Sequence, residues 1–272
     1  MIKVLGIHSS PIKKGNTAYL LNYALEEASK ADGVSTESIA LAGLSIADCR
    51  HCNWCMKKQT PDRLCCIEDD ASPILQKILD CDVLVLGSPV YFSRLSGTMA
   101  CLIDRTRCFT FGKNGHLALK GKIGVALAVG WCRNLGIETT LAGLHGAFLV
   151  HEMIAPSCHA AGALYGAAVV SGQRDEAFGD KPDRLGVKDD REGLRATKLL
   201  IREAIHMARQ FKPVLPGKPE TGIPGAGGGP SWLLEGLPDR TSRQGPKKPA
   251  PSVPREREKE KPRIGDCKNR RV

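Results

Sequence analysis

The chain has 272 residues, enough for one sizeable domain with some excess, and no stretch approaches the ~18 consecutive apolar residues of a membrane span. Eleven cysteines follow an N-terminus, Met1-Ile-Lys-Val-Leu-Gly-Ile-His8, that has no export cleavage pattern, which points to the reducing cytoplasm. The formal net charge is +10, but 212–272 hold 14 Lys+Arg against 7 Asp+Glu while 1–211 hold 25 against 22, so the balanced core gives no ground for a nucleic-acid partner.

In chain order, residues 2–8 read as a buried strand, bounded by the turn-rich Ser9-Ser-Pro-Ile-Lys-Lys-Gly-Asn16. Thr17 opens a helical pattern with Leu20, Leu21, Ala24 and Ala28 on one face, and 35–41 form a second strand. A cysteine-rich loop spans 43–66. Asp69-Asp70 start the next helix, through Ile74, Leu75, Ile78 and Leu79, with carboxylates at its positive end. Asp82-Val-Leu-Val-Leu-Gly87 is a continuous apolar run, as expected of a central parallel strand covered on both faces. Then come a loop at 88–95, a helix at 96–108, a strand at 122–129, a helix at 136–150, the start of a fifth strand at 152–155 and a long helix at 189–211. Strand and helix alternate, which predicts an α/β protein with a doubly wound, open parallel sheet. Residues 1–211 form that domain. Residues 212–272 hold 11 of the 17 prolines and too little apolar surface to offset their ordering entropy, so they are expected to be a disordered basic tail.

The loops after the first, third and fourth strands all lie where such sheets bind ligands. The first joins a strand to a helix N-terminus, whose free amides and dipole favour a phosphate; Ser, Asn and Thr add donors and Gly15 lets the backbone turn closely. It matches neither the Walker pattern nor G-x-G-x-x-G. A monophosphate cradle of the flavodoxin type remains, beside the plainer reading of a polar strand–helix connection.

Cys49-x2-Cys52-x2-Cys55-x9-Cys65, with Cys66 next to the last, is the densest chemistry in the chain. Cysteines so close in a reducing compartment read as metal ligands. Zinc sites usually take two separated C-x2-C pairs, whereas two consecutive two-residue gaps resemble the ferredoxin run that reaches separate irons of a cubic cluster. An iron–sulfur cluster is the first reading and zinc the second. Cys81, Cys101, Cys108 and Cys158 fall in or near apolar segments and read as small core residues. Asp104-Arg105 reads as an ion pair or a helix-surface feature.

With Gly87-Ser-Pro-Val-Tyr-Phe92, the first loop, the cysteine run, Asp69-Asp70 and Ile103-Asp104-Arg105, residues 1–211 resemble an iron–sulfur flavoprotein of the NADPH-dependent FMN reductase superfamily. That resemblance implies a flavodoxin-like fold, FMN, a 4Fe-4S cluster and a homo-oligomer with the cluster near a subunit interface. Its cluster motif falls on Cys49, Cys52, Cys55 and Cys65; Cys65 is chosen over Cys66 because it precedes the paired aspartates by the family's interval. FMN contacts carry over onto Ser10, Gly15, Asn16 and Thr17 for the phosphate, and onto Pro89, Val90, Tyr91 and Phe92 around the ring. In the third loop Gly130 leaves room for the ring edge, and Arg133 offers positive charge to a reduced flavin. The implied activity moves electrons between a one-electron carrier such as ferredoxin and a small-molecule oxidant or two-electron partner. Two rivals use the same scaffold: a NAD(P)H-dependent FMN or quinone reductase whose cysteines hold zinc or nothing, and a non-catalytic binding module with a zinc loop.

Overall fold

Five strands form one sheet: β1 (Ile2–His8), β2 (Val34–Ala40), β3 (Val83–Pro89), β4 (Ile123–Gly130) and β5 (Ala167–Val170). Their spatial order is β2-β1-β3-β4-β5, and every neighbouring pair is parallel. β3 and β4 are buried at every position, which is why their sequences are unbroken apolar runs. β2 lies at an edge, and its Ser35, Thr36, Glu37 and Ser38 are exposed. The structure is a computed structural model and describes residues 1–114, 117–172 and 185–212. The chain divides into two units, Met1–Ala226 and Gly227–Val272, and all described residues belong to the first. The expected tail, apart from Lys212, lies outside the described residues.

The helices are α1 (Asn16–Ser29), α2 (Trp54–Lys58), α3 (Ala71–Asp80), α4 (Gly97–Arg105), α5 (Arg107–Thr110), α6 (Ile137–Val150) and α7 (Arg191–Phe211). Alternation along the strands divides the core. Val4, Val85 and Val125 pack with Leu20, Leu21, Leu200 and Ile201 of α1 and α7. Leu5, Leu84 and Ala126 pack with Leu75, Leu102 and Leu144 of α3, α4 and α6. Each fully buried leucine of this kind contributes about 1.5–3 kcal/mol. Because α1 and α4 cover opposite faces, the chain diverges between the ends of β1 and β3. This is the flavodoxin order and its ligand-binding switch point. Among the described residues, no helix is long and apolar enough to cross a membrane.

Three sequence expectations change. The helix expected over 96–108 is broken at Thr106, whose hydroxyl donates back to the Ile103 carbonyl at 2.6 Å, so α5 starts afresh at Arg107. The strand expected from residue 152 is a single bridge between Ile154 and Ile123. The chain then leaves the sheet at Pro156, which has no N–H for a ladder, and rejoins β4 with Ala167 opposite Leu127. The cysteine loop, read as irregular, contains the short helix α2.

Candidate cofactor sites

The first loop is tied to the second by buried hydroxyls. Ser96 Oγ donates to Ser9 Oγ at 2.7 Å, and the Ser96 N–H donates to Ser88 Oγ at 3.0 Å. Ser88 Oγ donates to the Pro89 carbonyl at 2.8 Å. Ser9, Ser10 and Thr17 are all buried although polar. Ser10 Oγ accepts from the Ile12 N–H at 3.2 Å, and the Gly15 N–H donates to the Ile12 carbonyl at 3.1 Å, curling the loop over the start of α1. No side chain caps α1; its first amides therefore keep their donors for a ligand. A Cβ on Gly15 would meet Ile12 Cγ2 at 2.9 Å, so a larger residue would open the curl. Asn16 Oδ1 accepts from the Val187 N–H at 3.2 Å, joining the loop to the segment before α7. Sequence reasoning singled out Ser10 and Thr17 but missed the fastening hydroxyls of Ser88 and Ser96.

The second loop is a tight turn in which Tyr91 and Arg94 exchange backbone hydrogen bonds of 2.9 and 3.2 Å, with Phe92 and Ser93 at positive φ. The Val90 N–H donates to the Val129 carbonyl at 2.9 Å. The amides of Val90 and Tyr91 are thus used by the fold. Phe92, at the tip, is 100% exposed. The third loop presses on this turn: a Cβ on Gly136, at φ 92°, would lie 2.2 Å from Ser93 Cα, and Thr139 Oγ1 donates to the Ser93 carbonyl. Gly130 closes β4, and its carbonyl accepts from the Ser171 N–H at 2.9 Å. Arg133 is paired with Asp190 at 3.0 Å, and Asp190 also caps α7. Glu192 lies 3.7 Å from Arg133 as well, so the Arg133 charge is already compensated. Tyr91, Phe92, Trp131 and Leu135 leave an exposed apolar rim along these two loops.

The cysteines converge separately. Cys49, Cys52, Cys55, Cys65 and Cys66 line one pocket with Arg105, Arg107 and Cys108, and no residue of the three strand-end loops lines it. His51 and Asn53 adopt left-handed backbone (φ 51° and 57°), which bends the C-x2-C-x2-C run so that its thiols share one side. Among the described residues, no group of three or more His, Cys, Asp or Glu side chains is arranged around a single metal ion. What the thiols share is a pocket.

Arg105 holds that pocket together. Its side chain is 0% exposed, so the helix-surface reading is corrected, while the ion-pair reading holds with Asp69 rather than Asp104. Nη1 donates to Asp69 at 2.6 Å and to the Ala47 carbonyl at 3.2 Å, and Nη2 donates to the Ile67 carbonyl at 2.9 Å. Asp69 in turn accepts from the Ala47 and Ala71 amides at 2.9 and 3.1 Å. Both arms of the loop are thus latched to α4 and to the start of α3. Burial alone would raise the Asp69 carboxyl, yet the Arg105 hydrogen bond and the amides hold it below its usual value. The Arg105 Nε–H is buried without a hydrogen-bond partner among the described residues. From α5, Arg107 approaches Cys55 Sγ at 3.9 Å and His51 Nε2 at 3.3 Å. Buried Gln59 fastens the far side, donating to the Leu64 and Cys108 carbonyls at 3.1 and 3.0 Å.

The thiols differ in character. Backbone donation from Trp54, then the Cys66 contact, lower Cys52, whereas burial and that same contact push Cys66 up to about 11. Burial raises Cys55, with Arg107 opposing. Cys108 is a buried thiol, as expected of a core cysteine, but it also borders the pocket. Sequence reasoning found the cysteines and missed Arg107 and Gln59. The break at Thr106 that aims Arg107 at the loop has no periodic signal.

Residues 2–163 match the sequence profile of the NADPH-dependent FMN reductase family. An iron–sulfur flavoprotein of Methanocaldococcus jannaschii is 37% identical over 192 residues, covering 69% of this chain and 95% of that protein. A second from the same organism is 34% identical over 209 residues, covering 77% and 98%. Among solved structures, RosB with bound 8-demethyl-8-formylriboflavin-5'-phosphate aligns over 100% of both chains with a TM-score of 0.64 at 15% identity, a likeness of fold.

Proposed function

The chain belongs to the NADPH-dependent FMN reductase family and, within it, to the iron–sulfur flavoproteins; on that premise we propose that it carries electrons between FMN at the strand-end loops and a 4Fe-4S cluster in the cysteine pocket. It is a flavin-dependent oxidoreductase. When bound, FMN exchanges electrons singly or in pairs and the cluster singly, which couples one-electron to two-electron partners.

The residues fit both groups. Ser10, Gly15, Asn16 and Thr17 surround the uncapped start of α1, where amide and hydroxyl donors suit a phosphate dianion. Pro89, Val90, Tyr91, Phe92 and Gly130 border the ring from the second and third loops, and Arg133, held by Asp190, brings guanidinium N–H donors beside it. Cys49, Cys52, Cys55 and Cys65 are the cluster ligands. Cys65 is preferred to Cys66 because Cys66 Sγ lies 3.3 Å from Cys52 Sγ. Two thiolates on even one tetrahedral ion stand about 3.8 Å apart, from ligand bonds of about 2.3 Å, and thiolates on separate irons stand farther.

The observation that carries the reading is the buried Arg105 guanidinium at the edge of a pocket lined by six cysteines: it interacts with the Cys65 thiol, and its Nε–H has no hydrogen-bond partner among the described residues. A donor sealed from water costs free energy until it meets an acceptor, and sulfide or thiolate sulfur supplies one. Arg107 adds a second cation beside the thiolates. A ferredoxin-like carrier is the proposed donor and a small-molecule oxidant the acceptor. The exposed rim of Phe92, Trp131 and Leu135 suits a homo-oligomeric contact.

Oxygen-free purification with iron, acid-labile sulfide and flavin analysis tests the proposal. FMN with iron and sulfide in equal amounts is the expected result, followed by reduction on adding reduced ferredoxin. FMN with neither iron nor sulfide would overturn the cluster and leave a flavin reductase.

A further inference from the structure

A cubic cluster takes four cysteines, and six line this pocket; Cys108 is a buried core thiol, which leaves Cys66 over. Cys66 is not idle packing. Cys66 is partly exposed, Cys52 is exposed, and their sulfurs lie 3.3 Å apart. No other pair of cysteines among the described residues makes a sulfur–sulfur hydrogen bond. A disulfide needs about 2.05 Å between sulfurs, so closure asks for about 1.3 Å of approach, which small side-chain rotations in a loop supply. The two residues sit on opposite arms of the loop, the one around α2 and the one leading to Asp69.

We propose that Cys52 and Cys66 are a redox-active pair that closes to a disulfide when the cluster is absent and the chain meets peroxide. Cys52's role as a ligand rests on the cluster reading above; the pairing of the two sulfurs does not. Cys52, as thiolate, attacks one oxygen of hydrogen peroxide; the O–O bond breaks, hydroxide leaves and takes up a proton, and Cys52 becomes a sulfenic acid. Cys66 sulfur then attacks the Cys52 sulfur. The S–S bond forms, the S–O bond breaks, and the departing hydroxide leaves as water with the Cys66 proton. Two thiols and one peroxide give one disulfide and two waters.

The consequence is a guarded apoprotein. The exposed ligand thiol is parked in a form that thiol reductants reverse, instead of passing to sulfinic acid. While parked it cannot ligate iron, so cluster uptake waits for reduction.

The test uses the full chain. Protein treated with hydrogen peroxide in air is alkylated and digested with trypsin, which cuts after Arg50, Lys57, Arg63 and Lys77 and releases peptides 51–57 and 64–77. Fragmentation is expected to show these joined through Cys52 and Cys66, with Cys55 and Cys65 carrying the alkyl label. Dithiothreitol is expected to part them, and iron and sulfide uptake by the oxidised protein is expected only afterwards. Cys66→Ser, purified without oxygen, is expected to keep iron, and after oxidation to show no linked peptides. Alkylated Cys66 in oxidised wild type, a bridge through Cys65 instead, or loss of iron in anaerobic Cys66→Ser would each overturn the proposal. If anaerobic wild type holds no iron, the cluster reading fails while the peptide map still decides the pair.

Discussion

The Arg105 guanidinium is sealed from solvent and lies 2.6 Å from the Asp69 carboxylate, joining the break between α4 and α5 to the turn that starts α3. Removing one partner strands the other charge in the interior, at about 3–5 kcal/mol. Asp69→Asn and Arg105→Met are each expected to lower the denaturation midpoint by that measure and to empty the pocket of iron. Because the two groups share one interaction, the double variant is expected to lose much less than the sum of the singles. Additive losses in a chemical-denaturation cycle would show that the latch is not a pair.

The two adjacent cysteines are expected to separate cleanly. Cys65→Ser is expected to lose iron and sulfide while retaining FMN, because the flavin loops contribute nothing to the cysteine pocket. Cys66→Ser is expected to retain all three. The reverse pattern in anaerobic iron analysis would move the fourth ligand to Cys66.

Much of this arrangement is written in local patterns. β3 and β4 are legible because a strand buried on both faces needs an unbroken apolar run, and the ligand loops follow from strand–helix alternation. The cysteine cluster is legible because its ligands are close in sequence. The latch is not: Asp69 and Arg105 are 36 residues apart, and nothing local marks Arg105 as buried. The break at Thr106 escapes for a related reason. It depends on a hydroxyl that bonds both Ile103 and His151, the latter 45 residues away. The fifth strand is missed because its sheet position is shared by two separated pieces, Ile154 and 167–170.

Asn16→Asp probes the phosphate cradle with little disturbance to the fold. The carboxylate keeps an oxygen for the Val187 N–H but sets a negative charge beside a phosphate dianion. FMN is expected to bind at least about tenfold more weakly, equivalent to about 1.4 kcal/mol, and added salt is expected to recover part of the loss. Unchanged FMN affinity by fluorescence titration would remove Asn16 from the site.

Gly136→Ala tests how the second and third loops are held. The new Cβ would meet Ser93 Cα at 2.2 Å, and φ of 92° is strained for any L side chain. Destabilisation of about 1–3 kcal/mol is expected, together with faster loss of FMN on dialysis and unaltered iron content. Loss of iron without loss of flavin would mean that the strain travels to the wrong site.

His151 gives the chain an acid-sensitive joint behind α5. Thr106 Oγ1 spends its proton on the Ile103 carbonyl, so at 2.7 Å it accepts from His151 Nε2–H, and Thr110 Oγ1 donates to Nδ1 at 2.9 Å. The neutral ring is fully satisfied; a proton on Nδ1 would displace the Thr110 donor inside a buried site. Burial accordingly lowers His151 from 6.5 to about 4. As pH falls below 6.5 the unfolded chain takes up this proton first, and the native chain resists until about 4. Stability is therefore complete above that window and declines through it, by up to about 3 kcal/mol at about 1.4 kcal/mol per unit. Denaturation midpoints between pH 7 and pH 4 are expected to fall on that schedule. His151→Asn is expected to be less stable at pH 7 but to flatten the slope, leaving what buried His8, also lowered, and, towards pH 4, the depressed Asp69 carboxyl contribute in the same direction. An undiminished slope in that variant would place the acid sensitivity elsewhere.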